Sequence, residues 1–166
     1  RSSYAANKKL GGGVILTQIH EIDYFLHLFS DYKIKNATYI SSKISDLDID
    51  VEDVFSSNFL LKKNKSKMFC NINLNYFERP KKRKFCLIGN NGTLVACFNT
   101  QKISITKNGK KKILTFNFKK NDIFIKEVKF FISRVKSKKL ISNDLNLYNG
   151  IKTLRFALKL KNNYLD

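Results

Sequence analysis

The hydrophobic period of this chain changes twice, and those changes restrict its fold more than any other feature. Over residues 14–29 apolar side chains recur at helical spacing. At about 100° per residue, Val14, Ile15, Ile19, Ile22, Phe25, Leu26 and Phe29 share one side. The period then falls to two. Segments 34–44, 55–61, 67–76, 85–88, 94–98, 102–106 and 111–118 read as strands, with hairpin turns at Asn90-Asn91-Gly92 and Lys107-Asn108-Gly109. Helical spacing returns near the end. Asn121 or Asp122 is placed to cap a helix reaching about residue 137, with Ile125, Val128, Phe131, Ile132 and Val135 as its core stripe. A last segment starts at Ser142 or Asn143 and closes near Lys161, with Ile151, Leu154, Ala157 and Leu158 on its apolar side. A helix, a block of strands and two more helices predict an α+β fold. Its expected form is one domain over residues 1–166, a large, mainly antiparallel open sheet with helices on one face.

The side of the first helix opposite the stripe carries Thr17, His20, Asp23, Tyr24 and His27, with Leu16 and Leu28 among them. Polar and ionisable groups mixed with leucine describe the wall of a cleft better than a solvated face. Gly11-Gly12-Gly13 precedes this helix. A phosphate loop does not fit: G-x-G-x-x-G fails at Leu16, no strand precedes the glycines, and a Walker lysine is missing. Close backbone approach at a tight turn explains the glycines better.

Two further patterns have bland readings. Asp46, Asp48 and Asp50 have the spacing of a calcium loop. The sixth position lacks Gly and the twelfth lacks Glu, so residues 46–53 read as a solvated acidic turn. Along 67–76, Phe69, Asn71, Asn73 and Asn75 alternate with Cys70, Ile72, Leu74 and Tyr76, giving an amide-rich face and an apolar one. The amide face is suited to a sugar or to another subunit's sheet, or is simply solvated.

Composition sets the remaining bounds. No run of about 18 apolar residues offers a membrane span, and no basic-plus-apolar leader opens the chain. Cys70, Cys86 and Cys97 lack C-x-x-C spacing and sit in strand-like segments, so free thiols in a reducing, cytoplasmic setting are expected and a zinc site is not. The net charge of +19 suggests an anionic partner at first sight. Only Arg1, Arg79, Arg83, Arg134 and Arg155 are arginine, however, and bidentate phosphate or base reading favours Arg over Lys. The charge therefore points away from nucleic acid. A non-catalytic basic module for nucleic acid or acidic polysaccharide stays as the alternative, and its binding should weaken steeply with salt.

Several short segments, in order, resemble one enzyme family. They are Arg1-Ser2-Ser3-Tyr4, Leu10 through Leu16 with its three glycines, and His20-Glu21-Ile22-Asp23-Tyr24. Val51-Glu52-Asp53, Leu74 through Pro80, the basic Arg83 and Lys84, and Ile88 through Leu94 follow. Together they resemble the second, C-terminal domain of Gfo/Idh/MocA oxidoreductases, whose open sheet is similar to the C-terminal domain of glyceraldehyde-3-phosphate dehydrogenase. The resemblance implies a substrate-binding and oligomerisation domain. An N-terminal Rossmann domain, missing from this chain, would bind NAD or NADP, and this fragment alone would be inactive. It implies a sugar, sugar derivative or nucleotide sugar as substrate, a homo-oligomer formed through the open sheet face, and no metal.

The resemblance also implies roles. An alcohol cannot give up hydride without losing its hydroxyl proton, so a general base must sit beside it. His20 takes that place, with a Lys from the first domain. Thr17, Tyr4, Arg1 and Tyr24 are the implied substrate-binding residues. The family carries Asp one helical turn before the His, where this chain has Leu16 and Thr17. Thr17 can hydrogen-bond a substrate but cannot stabilise a histidinium. Either His20 works with the Lys alone, or the chemistry has changed.

Overall fold

The computed structural model describes residues 3–119, 121–137 and 146–162. Helices and antiparallel strands segregate along the chain as the period changes require, and the α+β class is observed. Two compact units are formed, one from Arg1–Phe77 with Ile141–Asp166 and one from Glu78–Leu140.

In the first unit, two 3-10 turns (Tyr4–Ala6 and Lys8–Leu10) lead into α1 (Val14–Thr17) and α2 (Ile19–Leu28). β1 (Lys33–Ser42), β2 (Val54–Lys63) and β3 (Ser66–Asn75) follow as an antiparallel sheet in the order β1-β2-β3. The helix expected over 14–29 is broken at Gln18, whose backbone is not helical (φ −109°, ψ 28°). Its side-chain amide donates to the Asn75 carbonyl at 3.1 Å, so a tertiary contact takes the residue out of the helix.

β2 shows why the core lies on one side. Phe55, Ser57, Phe59 and Leu61 are buried while their neighbours are half-buried, the period-two signature of a sheet covered on one face. Val14, Ile15, Ile22 and Phe25 from α1 and α2 close over that face, joined by Ala157 and Leu160 of α4 (Leu147–Asn162). Aromatic rings form the centre: Phe25 and Phe59 stack at 5.0 Å, and Phe156 lies 6.0 Å from Phe59.

The stripe expected on the last helix is corrected. Thr153, Ala157 and Leu160 are its buried residues, while Ile151, Leu154 and Leu158 are exposed. The inward row includes a threonine because Thr153 Oγ1 donates to Asp23 Oδ1 on α2 at 2.7 Å, which satisfies its hydroxyl in place. The proposed start at Ser142 or Asn143 lies outside the described residues.

Residues 46–53 also depart from the expected solvated turn. Val51 and Asp53 are buried. Asp53 accepts from the Ile44 N–H at 2.9 Å, from the Ser45 N–H at 3.0 Å and from the Ser45 hydroxyl, so its carboxylate folds the chain after β1 back on itself. Burial works to raise its pKa, but these hydrogen bonds, helped by Lys43, hold the carboxyl below its ordinary value. A depressed carboxyl adds stability that is present above the unfolded-state value. That stability is lost as pH falls through the lower folded-state value. Asp53→Asn should therefore cost about 2 kcal/mol at neutral pH, the scale for weakening a charged hydrogen-bond cluster. Its deficit against the parent should shrink below pH 3.8, the ordinary carboxyl value. Urea melts of both proteins across that range check the sign.

The second unit is a meander. β4 (Lys84–Gly89), β5 (Gly92–Cys97), β6 (Lys102–Lys107) and β7 (Lys110–Thr115) pair in that order, all antiparallel. Asn108 and Gly109 both take positive φ, as a two-residue hairpin turn requires. α3 (Asp122–Ser137) forms where its spacing predicted. Its stripe is not a core stripe, however: Ile125, Val128, Phe131, Ile132 and Val135 are all exposed, and no residue of α3 is buried. Helical spacing shows that a face is apolar; it does not show what covers it. Among the described residues, no helix is long and apolar enough to cross a membrane.

Candidate active site

The glycine turn before α1 packs against the backbone of residues 4–7 and carries the chain into the helix. Gly11 (φ 76°) caps the second 3-10 turn in the left-handed conformation. A Cβ on Gly12 would meet the carbonyl oxygens of Tyr4, Ala5 and Asn7 at 2.5, 2.7 and 2.8 Å. Close backbone approach, as the sequence suggested, is what the glycines provide. The local N–H groups are used internally. Gly12 donates to the Asn7 carbonyl, Gly13 to Ala5 and Val14 to Glu52, at 2.9, 3.1 and 3.0 Å. A dinucleotide pyrophosphate needs such groups turned outward, so these residues do not fit that cofactor.

Glu52 and Lys161 brace the turn from below. Lys161 Nζ lies 2.7 Å from the Gly12 carbonyl and 2.9 and 2.7 Å from the two Glu52 oxygens. The Lys161 side chain is only 20% exposed and that of Glu52 only 12%. A pair this sheltered ties the end of α4 to the start of α1, a link that residue spacing alone did not indicate.

Above the turn, Thr17 Oγ1 donates to the Gly13 carbonyl at 2.8 Å. That spends its proton, so it accepts from the Tyr76 hydroxyl, to which it is also bonded. Tyr76 sits just past β3, and its phenol oxygen is 3.4 Å from the Ala5 carbonyl. Burial pushes the phenol above its usual pKa against the Thr17 bond, with the charge of Glu52 and the neighbouring Tyr4 adding to the rise. Sequence reasoning missed this tyrosine. Alternation placed it on the apolar face of β3, and only its hydroxyl signalled a second role.

His20 stands on the first turn of α2 with its side chain 50% exposed and Nε2 3.1 Å from Glu21 Oε1. Tyr24 follows one turn on, also exposed. The expected residues thus fall into two sets: Thr17 bonds Tyr76, which also approaches the Ala5 carbonyl on the 3-10 turn that carries Tyr4, while His20 and Tyr24 lie along one stretch of α2. Arg1 lies outside the described residues. Asp23 is held by Thr153, and with His27 and Lys152 it lines a shallow hollow of about 120 Å³ that His20 does not reach. No group of three metal-ligating side chains converges among the described residues.

Solved structures share this architecture. UDP-N-acetylglucosamine 3-dehydrogenase from Acidithiobacillus ferrooxidans superposes with a TM-score of 0.72 at 15% identity, over 92% of this chain and 48% of its own. An assigned oxidoreductase from Thermotoga maritima gives 0.71 at 18%, over 96% of this chain and 47% of its own. The biliverdin reductase of a Synechocystis species, solved with biliverdin and NADP+, gives 0.68 at 12%, over 98% and 50%. The fold is one that these solved structures share. The chain spans about half the length of the structures it matches. No protein-family profile and no curated protein sequence matches it.

Proposed function

We propose that this chain is the substrate-binding and oligomerisation domain of an NAD(P)-dependent oxidoreductase that acts on a sugar, sugar derivative or nucleotide sugar. The observation that carries the reading is the placement of His20. It is half-exposed at the start of α2, on a fold that elsewhere forms one half of oxidoreductases. The nicotinamide is held by a dinucleotide-binding domain outside this chain and supplies the hydride chemistry when bound. The chain's own residues hold the alcohol and take its proton. His20 is the proton acceptor, Tyr24 and Tyr4 offer hydroxyls to the substrate, and Arg1 offers a charge. Thr17, its proton already spent on Gly13, offers at most one further acceptor site. Three free thiols suit a reducing, cytoplasmic setting, and burial pushes the Cys70 thiol up to about 11.

The test is an NAD- and NADP-linked assay of the natural protein against a panel of sugars and nucleotide sugars. Reduced nicotinamide appearing with one class supports the reading. A protein that forms none with any of them, in either direction, contradicts it.

Self-association belongs to the same proposal, and the outer face of the β1-β2-β3 sheet is the surface we assign to it. Asn71 donates to Asn58 Oδ1 at 2.8 Å and bonds Asn73, forming an amide ladder beside the exposed Ile40 and Phe69. Amides already paired to one another shed less water when covered, and the two apolar side chains gain by it. Gel filtration should give a dimer or larger species, and Phe69→Lys should shift it toward the monomer. A monomer before substitution counts against the assignment.

A further inference from the structure

The second unit contains an apolar cavity of about 420 Å³ between the ends of β5, β6 and β7 and the first turn of α3. That size is within the range of small-molecule sites. Phe98, Phe116, Phe118, Ile103 and Ile123 supply its walls, and every lining residue belongs to this one unit. Three phenylalanines spent on a cavity rather than a packed core leave apolar surface in water, which is unfavourable unless something covers it.

The cavity is pre-formed. Gln101, in the left-handed conformation (φ 53°), clamps the segment after β7. Its amide nitrogen donates to the Phe118 carbonyl at 3.0 Å, and its amide oxygen accepts from the Phe118 N–H at 2.7 Å. Its backbone carbonyl accepts from Phe116 at 2.9 Å. Phe116 and Phe118 consequently lie nearly parallel, 5.9 Å apart with planes 7° from each other. Asn99 clamps the opposite side, accepting from the Arg83 N–H at 2.7 Å and donating to the Lys81 carbonyl at 3.1 Å.

Charge is one-sided. Arg83, Lys102 and Lys119 line the cavity, and among the described residues no carboxylate does. The Arg83 guanidinium stands 4.4 Å over the Phe98 ring, and the Lys126 ammonium 5.1 Å over Phe118. Asp122, the acidic residue nearest in sequence, accepts from the Lys119 N–H. The ring faces already have their cations, so a further cationic ligand gains nothing there, while an anionic group meets three positive side chains.

We propose that this cavity is a binding site for a planar aromatic anion, its rings laid against Phe116 and Phe118 and its carboxylate or phosphate directed to Arg83, Lys102 and Lys119. Flat walls held by backbone hydrogen bonds favour a rigid ring system over a flexible acyl chain, because neither partner loses conformational freedom.

Cys97 lines the cavity and serves as a reporter. Its thiol is held below the ordinary value, first by the hydrogen bond with Thr100, which favours the thiolate. Cys86, exposed on β4, is the internal control. The experiment titrates the full chain with 2-naphthoate by calorimetry and follows N-ethylmaleimide labelling of each cysteine by peptide mass spectrometry. The expected result is saturable binding that slows Cys97 labelling and leaves Cys86 unchanged. The neutral 2-naphthalenemethanol and the flexible decanoate should each bind about tenfold more weakly. Arg83→Gln should weaken naphthoate by about tenfold, the scale of one charge-assisted hydrogen bond. Unprotected Cys97 at saturation overturns the site. Equal affinity for the alcohol overturns the anion assignment, and equal affinity for decanoate overturns the planar one. These comparisons use the unsubstituted chain and do not depend on how the variant folds.

Discussion

Phe59→Ala should lower the stability of the chain by about 3–5 kcal/mol, the cost of truncating a buried aromatic residue. Phe59 is fully buried at the centre of the first unit, and its ring lies 5.0 Å from Phe25 on α2 and 6.0 Å from Phe156 on α4. Those three elements come from distant parts of the sequence and meet through this ring. Two terms add: the transfer free energy of the lost ring, and a cavity that β2 cannot close because both its sheet neighbours hold it in register. Chemical denaturation should show the midpoint falling with little change in slope. Phe59→Leu, which keeps most of the volume, should cost much less. A loss below about 1 kcal/mol for the alanine variant would mean that the helices do not rest on β2 as described.

His20→Ala should lower kcat of the natural protein by about 10²–10⁴, the usual contribution of a positioned general base. His20 is half-exposed, so its removal leaves the core intact and the folded fraction unchanged. That separates the effect from the stability loss expected at Phe59. KM should change little, because the imidazole acts on the proton in transit more than on the bound alcohol. A variant with parent-like kcat would remove His20 from the chemistry and leave Tyr76, bonded to Thr17, as the group to examine.

Local period and turn chemistry made most of the fold legible. Each of the seven strand segments appears near its expected place, because alternation is a local property of residues such as Phe55, Phe59 and Leu61. The glycine turn was readable too, since three glycines before a helix have few uses. What escaped depended on partners remote in sequence. Gln18 breaks a good helical pattern because the Asn75 carbonyl is within reach. Asp53 looked solvated among four other acidic residues, yet Ile44 and Ser45 satisfy it in the interior. Tyr76 read as one more apolar-face residue until Thr17 was found against it. On α4, two rows have similar apolar content, and the Asp23 carboxylate beneath Thr153 decides which turns inward. On α3 the pattern was read correctly and its burial was not, because a lone amphipathic face carries no record of what it meets.

For the candidate site, the residues on α2 and the turn before it were proposed from sequence, and the side chains that brace them were not. Glu52 and Lys161 lie 109 residues apart and meet beneath Gly12 and Gly13. A candidate residue can be proposed from its type and motif. The side chains that hold it become visible only when the chain is folded.

The most direct test of the account is the mass of the natural protein in its source cells, by intact mass spectrometry or immunoblot. A dinucleotide-binding domain adds roughly 120–150 residues. The expected product is therefore near twice the 19.3 kDa of this chain. A natural product of 19.3 kDa would contradict it, leaving a domain with the fold of an oxidoreductase half and no place for the nicotinamide.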